Sequence, residues 1–159
     1  MLPRIILKVY AVAVTETWAA ETLGALQRAG YRSGGARRAV IELLGRQNCC
    51  LTAQEIFDGL REEGRAVGIA TVYRVLDLLT EKGFVQRLDV GHGTARFEPA
   101  HATGEHHHHL VCGECGRVDA FEDDELERAL RDVEGRTGYS VAGHDVVLRG
   151  ACAECSSAA

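Results

Sequence analysis

"IATVYRVLDLLTEKGFVQRLDVGHGTARFE", residues 69–98, decides the fold. Its first half sets Ile69, Val72, Val75, Leu76 and Leu79 on one face at helical spacing, and Lys82 and Gly83 supply a C-terminal signal. Its second half is two strand-like runs around Gly91-His92-Gly93, the pattern of a β-hairpin. A helix followed at once by a hairpin reads as the recognition helix and wing of a winged helix-turn-helix, provided that other helices precede it.

They do. Thr52 and Glu55 form a capping box that opens a helix running through Leu60, after a short "RQNCC" loop. Before that loop a helix fits Ala36 to Leu44, closed by Gly45, and an earlier one fits Glu16 to Ala29 with Trp18, Leu23 and Leu26 apolar. Residues 1–15 are assigned to an N-terminal extension: Lys8 interrupts their apolar run, and no cleavage site follows. No stretch is long enough to cross a membrane as a helix, and a cytoplasmic location is expected.

Downstream the chemistry changes. Residues 1–97 carry 13 Lys and Arg against 10 Asp and Glu, whereas residues 98–159 carry 5 against 13. This asymmetry divides the chain into a winged-helix domain, 16–97, and an acidic second domain, 98–159. The second domain reads strand, knuckle, strand, helix, strand, knuckle, so the whole is α+β.

The knuckles are the Cys-x-x-Cys pairs Cys112/Cys115 and Cys152/Cys155. Each presents two sulfurs on one side of a tight turn, and two such turns complete a tetrahedral tetrathiolate site suited to structural Zn(II). Directly before the first lies a run of four histidines, His106 to His109. Side chains alternate across a strand, so His106 and His108 share one face and His107 and His109 the other. A run of this kind can feed two metal sites. Glu98, His92, His101, Glu105, Asp119, the acidic stretch Glu122 to Glu127, and His144 are available to complete them. A zinc hydrolase would need an open metal position beside a general base, and no His-Glu-x-x-His pattern is present. A zinc-binding protein-interaction module remains an alternative.

On the helix of residues 69–81, the side opposite the apolar stripe carries Ala70, Thr71, Arg74, Asp77 and Glu81, with Tyr73 at its margin. Residues of this kind near a recognition helix's N-terminus contact base edges in the major groove. Arg32, Arg37 and Arg38 are candidates for phosphate contact. Leu78 also falls on the exposed side, with no role assigned.

With "ATVYRVLDLL", "HHHHLVCGECG" and "HDVVLRGACAEC" in place, the chain resembles the ferric uptake regulator family of bacterial metalloregulators over about Gly30 to Cys155. The resemblance implies a homodimeric, metal-dependent repressor of metal-uptake genes that binds a pseudo-palindromic operator in double-stranded DNA. It implies an N-terminal winged helix and a C-terminal α/β dimerisation domain. It matches Cys112, Cys115, Cys152 and Cys155 to a structural zinc site, and His106, His108, Glu127 and His144 to a second site. Glu98, His107 and His109 match a sensory site for Fe(II) or Zn(II), completed by a residue before the third helix. Many relatives have histidine there; here it is Cys50, whose softer thiolate favours Zn(II) over Fe(II), while His92 and His101 lie near enough in sequence to replace it. The resemblance also supports Tyr73 and Arg74 as DNA contacts. A peroxide sensor of the same family would use the same site.

Overall fold

The computed structural model describes residues 11–32, 34–47, 49–89, 93–100 and 107–157, with side chains from Thr17 onward. His92, His101 and His106 lie outside the described residues, as do residues 1–10 of the proposed extension. The chain divides into two compact units, Met1–Ala102 and Thr103–Ala159.

The first unit runs α1 (Ala11–Arg28), α2 (Gly35–Gly45), β1 (Leu51–Thr52), α3 (Ala53–Glu62), α4 (Ile69–Glu81), β2 (Val85–Asp89) and β3 (Ala95–Pro99). α1 starts five residues before the expected Glu16, because "AVAVT" contains no glycine or proline to break the helix. α2 extends one residue beyond the expected range at each end, and Gly45 stays helical with Arg46 as the cap.

Local signals fix the other helices. Thr52 Oγ1 accepts from Glu55 N at 3.1 Å, and Glu55 Oε2 accepts from Thr52 N at 2.7 Å, so the capping box of α3 is closed in both directions. At the end of α4, Gly83 takes φ +73°, which an L side chain rarely adopts. That turn lets Phe84 N reach Leu79 O at 2.9 Å and Gly83 N reach Thr80 O at 3.1 Å, the paired bonds of a Schellman stop.

α1 packs on α2, while α2, α3 and α4 pack on one another. Between them Val40, Ile41, Leu44, Ile56, Leu60, Val72, Leu76 and Leu79 are completely buried. Truncating a residue such as Ile56 to Ala would cost about 2–5 kcal/mol. Leu78 packs against this cluster rather than facing solvent, because its position on α4 adjoins the stripe of Val75 and Leu79.

The wing is a three-stranded sheet of order β1-β3-β2. β2 and β3 form the hairpin, pairing Gln86 with Glu98 and Leu88 with Arg96. β1 was not anticipated: two residues carry no periodicity, and only pairing with the far side of β3 makes Leu51–Thr52 a strand. The acidic shift at Glu98 therefore falls inside β3, and the division between units follows the end of that strand's pairing.

The second unit runs β4 (His108–Cys112), β5 (Val118–Phe121), α5 (Asp124–Thr137), β6 (Val147–Gly150) and a four-residue helix, α6 (Ala153–Ser156). Its sheet has the order β5-β4-β6, with β4 antiparallel to β5 and parallel to β6. Asp123 caps α5 by accepting from Glu125 N at 2.9 Å and Leu126 N at 2.8 Å, and the acidic first turn suits the helix's positive end. This unit has little core of its own. Among its described residues only His108, His109, Val111 and Cys112 are buried, and α5 buries none. Leu110 and Leu148, opposite each other on β4 and β6, are 43% and 48% exposed.

Candidate metal centres

The four thiols of the second unit converge because strand pairing and two tight turns bring them together. β6 runs parallel to β4 and sets Gly150 beside Cys112, so Cys152, two residues past the strand, arrives next to Cys112. Gly116 at φ +74° closes the first knuckle, with Gly116 N bonding Cys112 O at 3.0 Å. The second knuckle is the turn of α6, where Ser156 N bonds Cys152 O at 2.8 Å. The four sulfurs all lie within 4.8 Å of one another, and Cys115 Sγ is 3.9 Å from Cys152 Sγ. Tetrahedral zinc with bonds of about 2.3 Å would separate its sulfurs by about 3.8 Å, so the donor set fits that ion.

The backbone also prepares the site for thiolate. Amide groups of Cys115 and Cys152 point at Cys112 Sγ, the latter at 3.3 Å, and lower the Cys112 thiol to about 6. Cys155 is pushed up to about 12, first by its hydrogen bond with the Cys152 thiol and then by those with Cys115 and Cys112. Four thiols crowded together cannot all ionise without a cation to hold the charge.

On β4, His108 faces α5 and His144. Its Nε2 lies 2.7 Å from Glu127 Oε1, and His144 Nε2 lies 3.2 Å from the same oxygen. The His108 ring, 2% exposed, packs 5.3 Å from Phe121 and 5.4 Å from His144. Two imidazoles and a carboxylate are a suitable ligand set for a divalent ion. Ligands at about 2.1 Å on one metal stand about 3.4 Å apart, so the cluster must open by several tenths of an ångström to admit it. Of the four residues expected at this second site the structure brings three together; His106 is outside the described residues.

The His107 and His109 rings meet edge to face with centroids 5.0 Å apart. In the first unit, Leu51 pairs with Phe97, and one step further along the register Cys50 stands opposite Glu98. Cys50 is buried, and its thiol is raised by its bond with Cys49, then by burial, with the Glu98 charge adding to both. Glu98 accepts from the Gln86 amide across the hairpin. Each unit thus holds one pair from the expected sensory set.

Two residues in this region were not singled out from sequence. Cys49 Sγ lies 3.9 Å from Cys50 Sγ. Arg96 bonds the Cys50 carbonyl at 3.2 Å and Glu55 Oε2 at 3.1 Å, tying the loop to α3. The doubled cysteine was visible in "NCC", but strand alternation would have separated the two sulfurs.

On α4, Tyr73 is 51% exposed, Arg74 is exposed and Thr71 half-buried, so Tyr73 is not a core residue. Near the start of α2, Arg37 lies 5.6 Å over the Tyr31 ring and bonds the Arg32 carbonyl, while Arg38 pairs with Glu42 at 3.7 Å.

A winged helix joined to a small α/β unit with thiol and imidazole clusters defines a winged-helix protein equipped to ligate metals. The ferric uptake regulator family matches residues 28–149. The ferric uptake regulation protein of Klebsiella pneumoniae is 36% identical over 132 residues, 82% of this chain and 83% of that protein. That of Bacillus subtilis is 34% identical over 133 residues, covering 82% and 89%. Among solved structures, the Helicobacter pylori ferric uptake regulator, described with three functional metal binding sites, superposes with a TM-score of 0.76 at 27% identity over 89% of this chain and 93% of that one. The Vibrio cholerae ferric uptake regulator, described by a rearrangement of its DNA-binding domains, superposes with a TM-score of 0.72 at 33% identity over 82% and 99%. The chain belongs to the ferric uptake regulator family. No helix among its described residues is long and apolar enough to cross a membrane.

Proposed function

We propose that this chain is a metal-responsive, DNA-binding repressor that controls metal-uptake genes and acts in the cytoplasm by binding rather than by catalysis. The observation that carries it is one chain holding both a winged helix with Tyr73 and Arg74 outward on α4 and separate metal-ligating clusters in the following unit.

In this reading α4 enters the major groove. Arg74 bonds a guanine or a phosphate, Tyr73 or Thr71 touches a thymine methyl, and Arg32, Arg37 and Arg38 approach the backbone. The second unit forms a homodimer through its apolar sheet face. Exposed Leu110 and Leu148, together with Tyr139 at 77% exposed, support a partner surface. A two-fold dimer then fits a pseudo-palindromic operator.

Cys112, Cys115, Cys152 and Cys155 hold structural Zn(II). His108, Glu127 and His144, with His106, hold a second ion. Cys50, Glu98, His107 and His109 bind the regulatory Fe(II) or Zn(II). The three metal sites of the Helicobacter pylori relative support a count of three.

The test is operator-fragment binding by zinc-saturated dimer, titrated separately with Fe(II) and Zn(II), for the native chain and a His107→Ala/His109→Ala variant. The variant should remain a folded dimer and lose metal-dependent binding. Unchanged binding by the variant would refute the sensory site, and metal-independent binding by the native chain would refute metal control altogether.

A further inference from the structure

The ligand set just proposed leaves Cys49 unused, yet its sulfur is 3.9 Å from that of Cys50. In an extended strand neighbouring side chains point to opposite faces. Here the chain bends at Cys49, two residues before β1, and both sulfurs come to the same side. The Cys50 end of the pair is fixed, since Arg96 binds the Cys50 carbonyl at 3.2 Å and the register sets Cys50 against Glu98.

A disulfide does not suit this spacing. Adjacent Cα atoms are about 3.8 Å apart, below the roughly 4.4–6.8 Å that a relaxed disulfide spans. The sulfur separation does suit two thiolates on one tetrahedral ion, whose edge is about 3.8 Å for bonds of about 2.3 Å. Two thiolates in place of one shift the donor set decisively from hard to soft.

We propose that Cys49 is a second sulfur ligand of the regulatory metal, beside Cys50, leaving two positions of the tetrahedron to the other donors of the sensory set, and that it makes the site select Zn(II) over Fe(II). The inference rests on the sensory-site reading above. On binding, two S–H bonds give way to two S–metal bonds and two protons pass to solvent; no electron is transferred.

The experiment uses the full chain with zinc retained in the four-cysteine site and Co(II) as the probe. Thiolate-to-cobalt absorption in the near ultraviolet counts sulfur ligands, and the visible bands report that the ion is bound. The native protein should show two thiolates, and Cys49→Ser and Cys50→Ser one each. Competition should show Cys49→Ser weakening Zn(II) by about 10–100-fold, the scale of losing a supporting group, with Fe(II) affected far less. Cys49→Ser is nearly isosteric, so far-ultraviolet dichroism should be unchanged. A Cys49→Ser spectrum identical to the native one overturns the proposal while leaving the sensory site standing. If His107→Ala/His109→Ala binds Co(II) as the native chain does, the sensory-site reading fails, and this inference with it.

Discussion

Replacing Cys152 by Ser should unfold the second unit and leave the first intact. The two units are stabilised by different means. In the first, eighteen buried residues form a continuous cluster between the helices and the wing. In the second, Val111 is the only buried aliphatic side chain among the described residues, and burying it contributes about 1.5–3 kcal/mol. A structural zinc site in a small domain contributes on the order of 10–16 kcal/mol at neutral pH, comparable with or above the net stability of about 5–15 kcal/mol typical of whole domains. Cys152 also donates its amide to Cys112 Sγ and starts the turn that carries Cys155, so its loss opens the site from both knuckles. The variant should be monomeric. Hydrogen exchange should show loss of protection at Cys112 and Gly113, whose amides bond Arg117 O at 2.9 Å and Gly150 O at 2.8 Å, while α4 amides remain protected. Limited proteolysis should leave a fragment ending near Ala102. Protected β4 and β6 amides in a monomeric, zinc-free variant would refute the reasoning, because the sheet would then hold without the metal.

Arg74→Ala should weaken operator binding by about 1–3 kcal/mol, roughly 5- to 150-fold, the value of one bidentate base contact, with dimer and metal content unchanged. Fluorescence anisotropy on operator and random duplexes checks it: an equal loss on both would assign Arg74 to phosphate instead of base. Leu148→Asp should abolish self-association in sedimentation experiments while the four-cysteine site keeps its zinc. A persistent dimer would remove the Leu110 and Leu148 face from the interface.

What could be read from the sequence was whatever is local. The apolar stripe of α4, the Thr52 and Glu55 capping box, the hairpin and the two Cys-x-x-Cys knuckles are set by neighbours within a few residues, and the structure has each of them. What could not be read depends on pairing across long gaps. β1 exists only because β3 lies beside it, and the same pairing brings Cys50 to Glu98. α6 is a single turn capped by Cys152 and carrying Cys155, too short to have a period. A single apolar stripe leaves Leu78 on the outer side, but a helix packed on two others buries a wider face, and Leu78 lies within it. The convergence of Cys49 and Cys50 depends on the bend of the loop before β1, for which the sequence has no periodic signal.

The contacts around Arg96 connect the Cys50 loop to the helices of the first unit. Arg96 joins three things at once: the Cys50 carbonyl, the Glu55 carboxylate, and β3, on which both Arg96 and Glu98 sit. Glu55 in turn accepts from Thr52 N and so belongs to the cap of α3, which packs on α4. The Cys50 loop, the wing and the start of α3 are therefore one hydrogen-bonded assembly rather than three independent segments. Close-packed cores do not deform continuously, so an ion bound at Cys50 and Glu98 would act on this assembly as a body and not by rearranging the apolar cluster beneath it. On the proposed function, DNA binding would be linked to metal binding reciprocally, by about 1–3 kcal/mol in typical cases. Glu98 already accepts from Gln86, so the ion must share or displace that amide. A metal lacking strong affinity for the neighbouring thiolates would gain little from the exchange, which places the choice of ion with the cysteines rather than with the carboxylate.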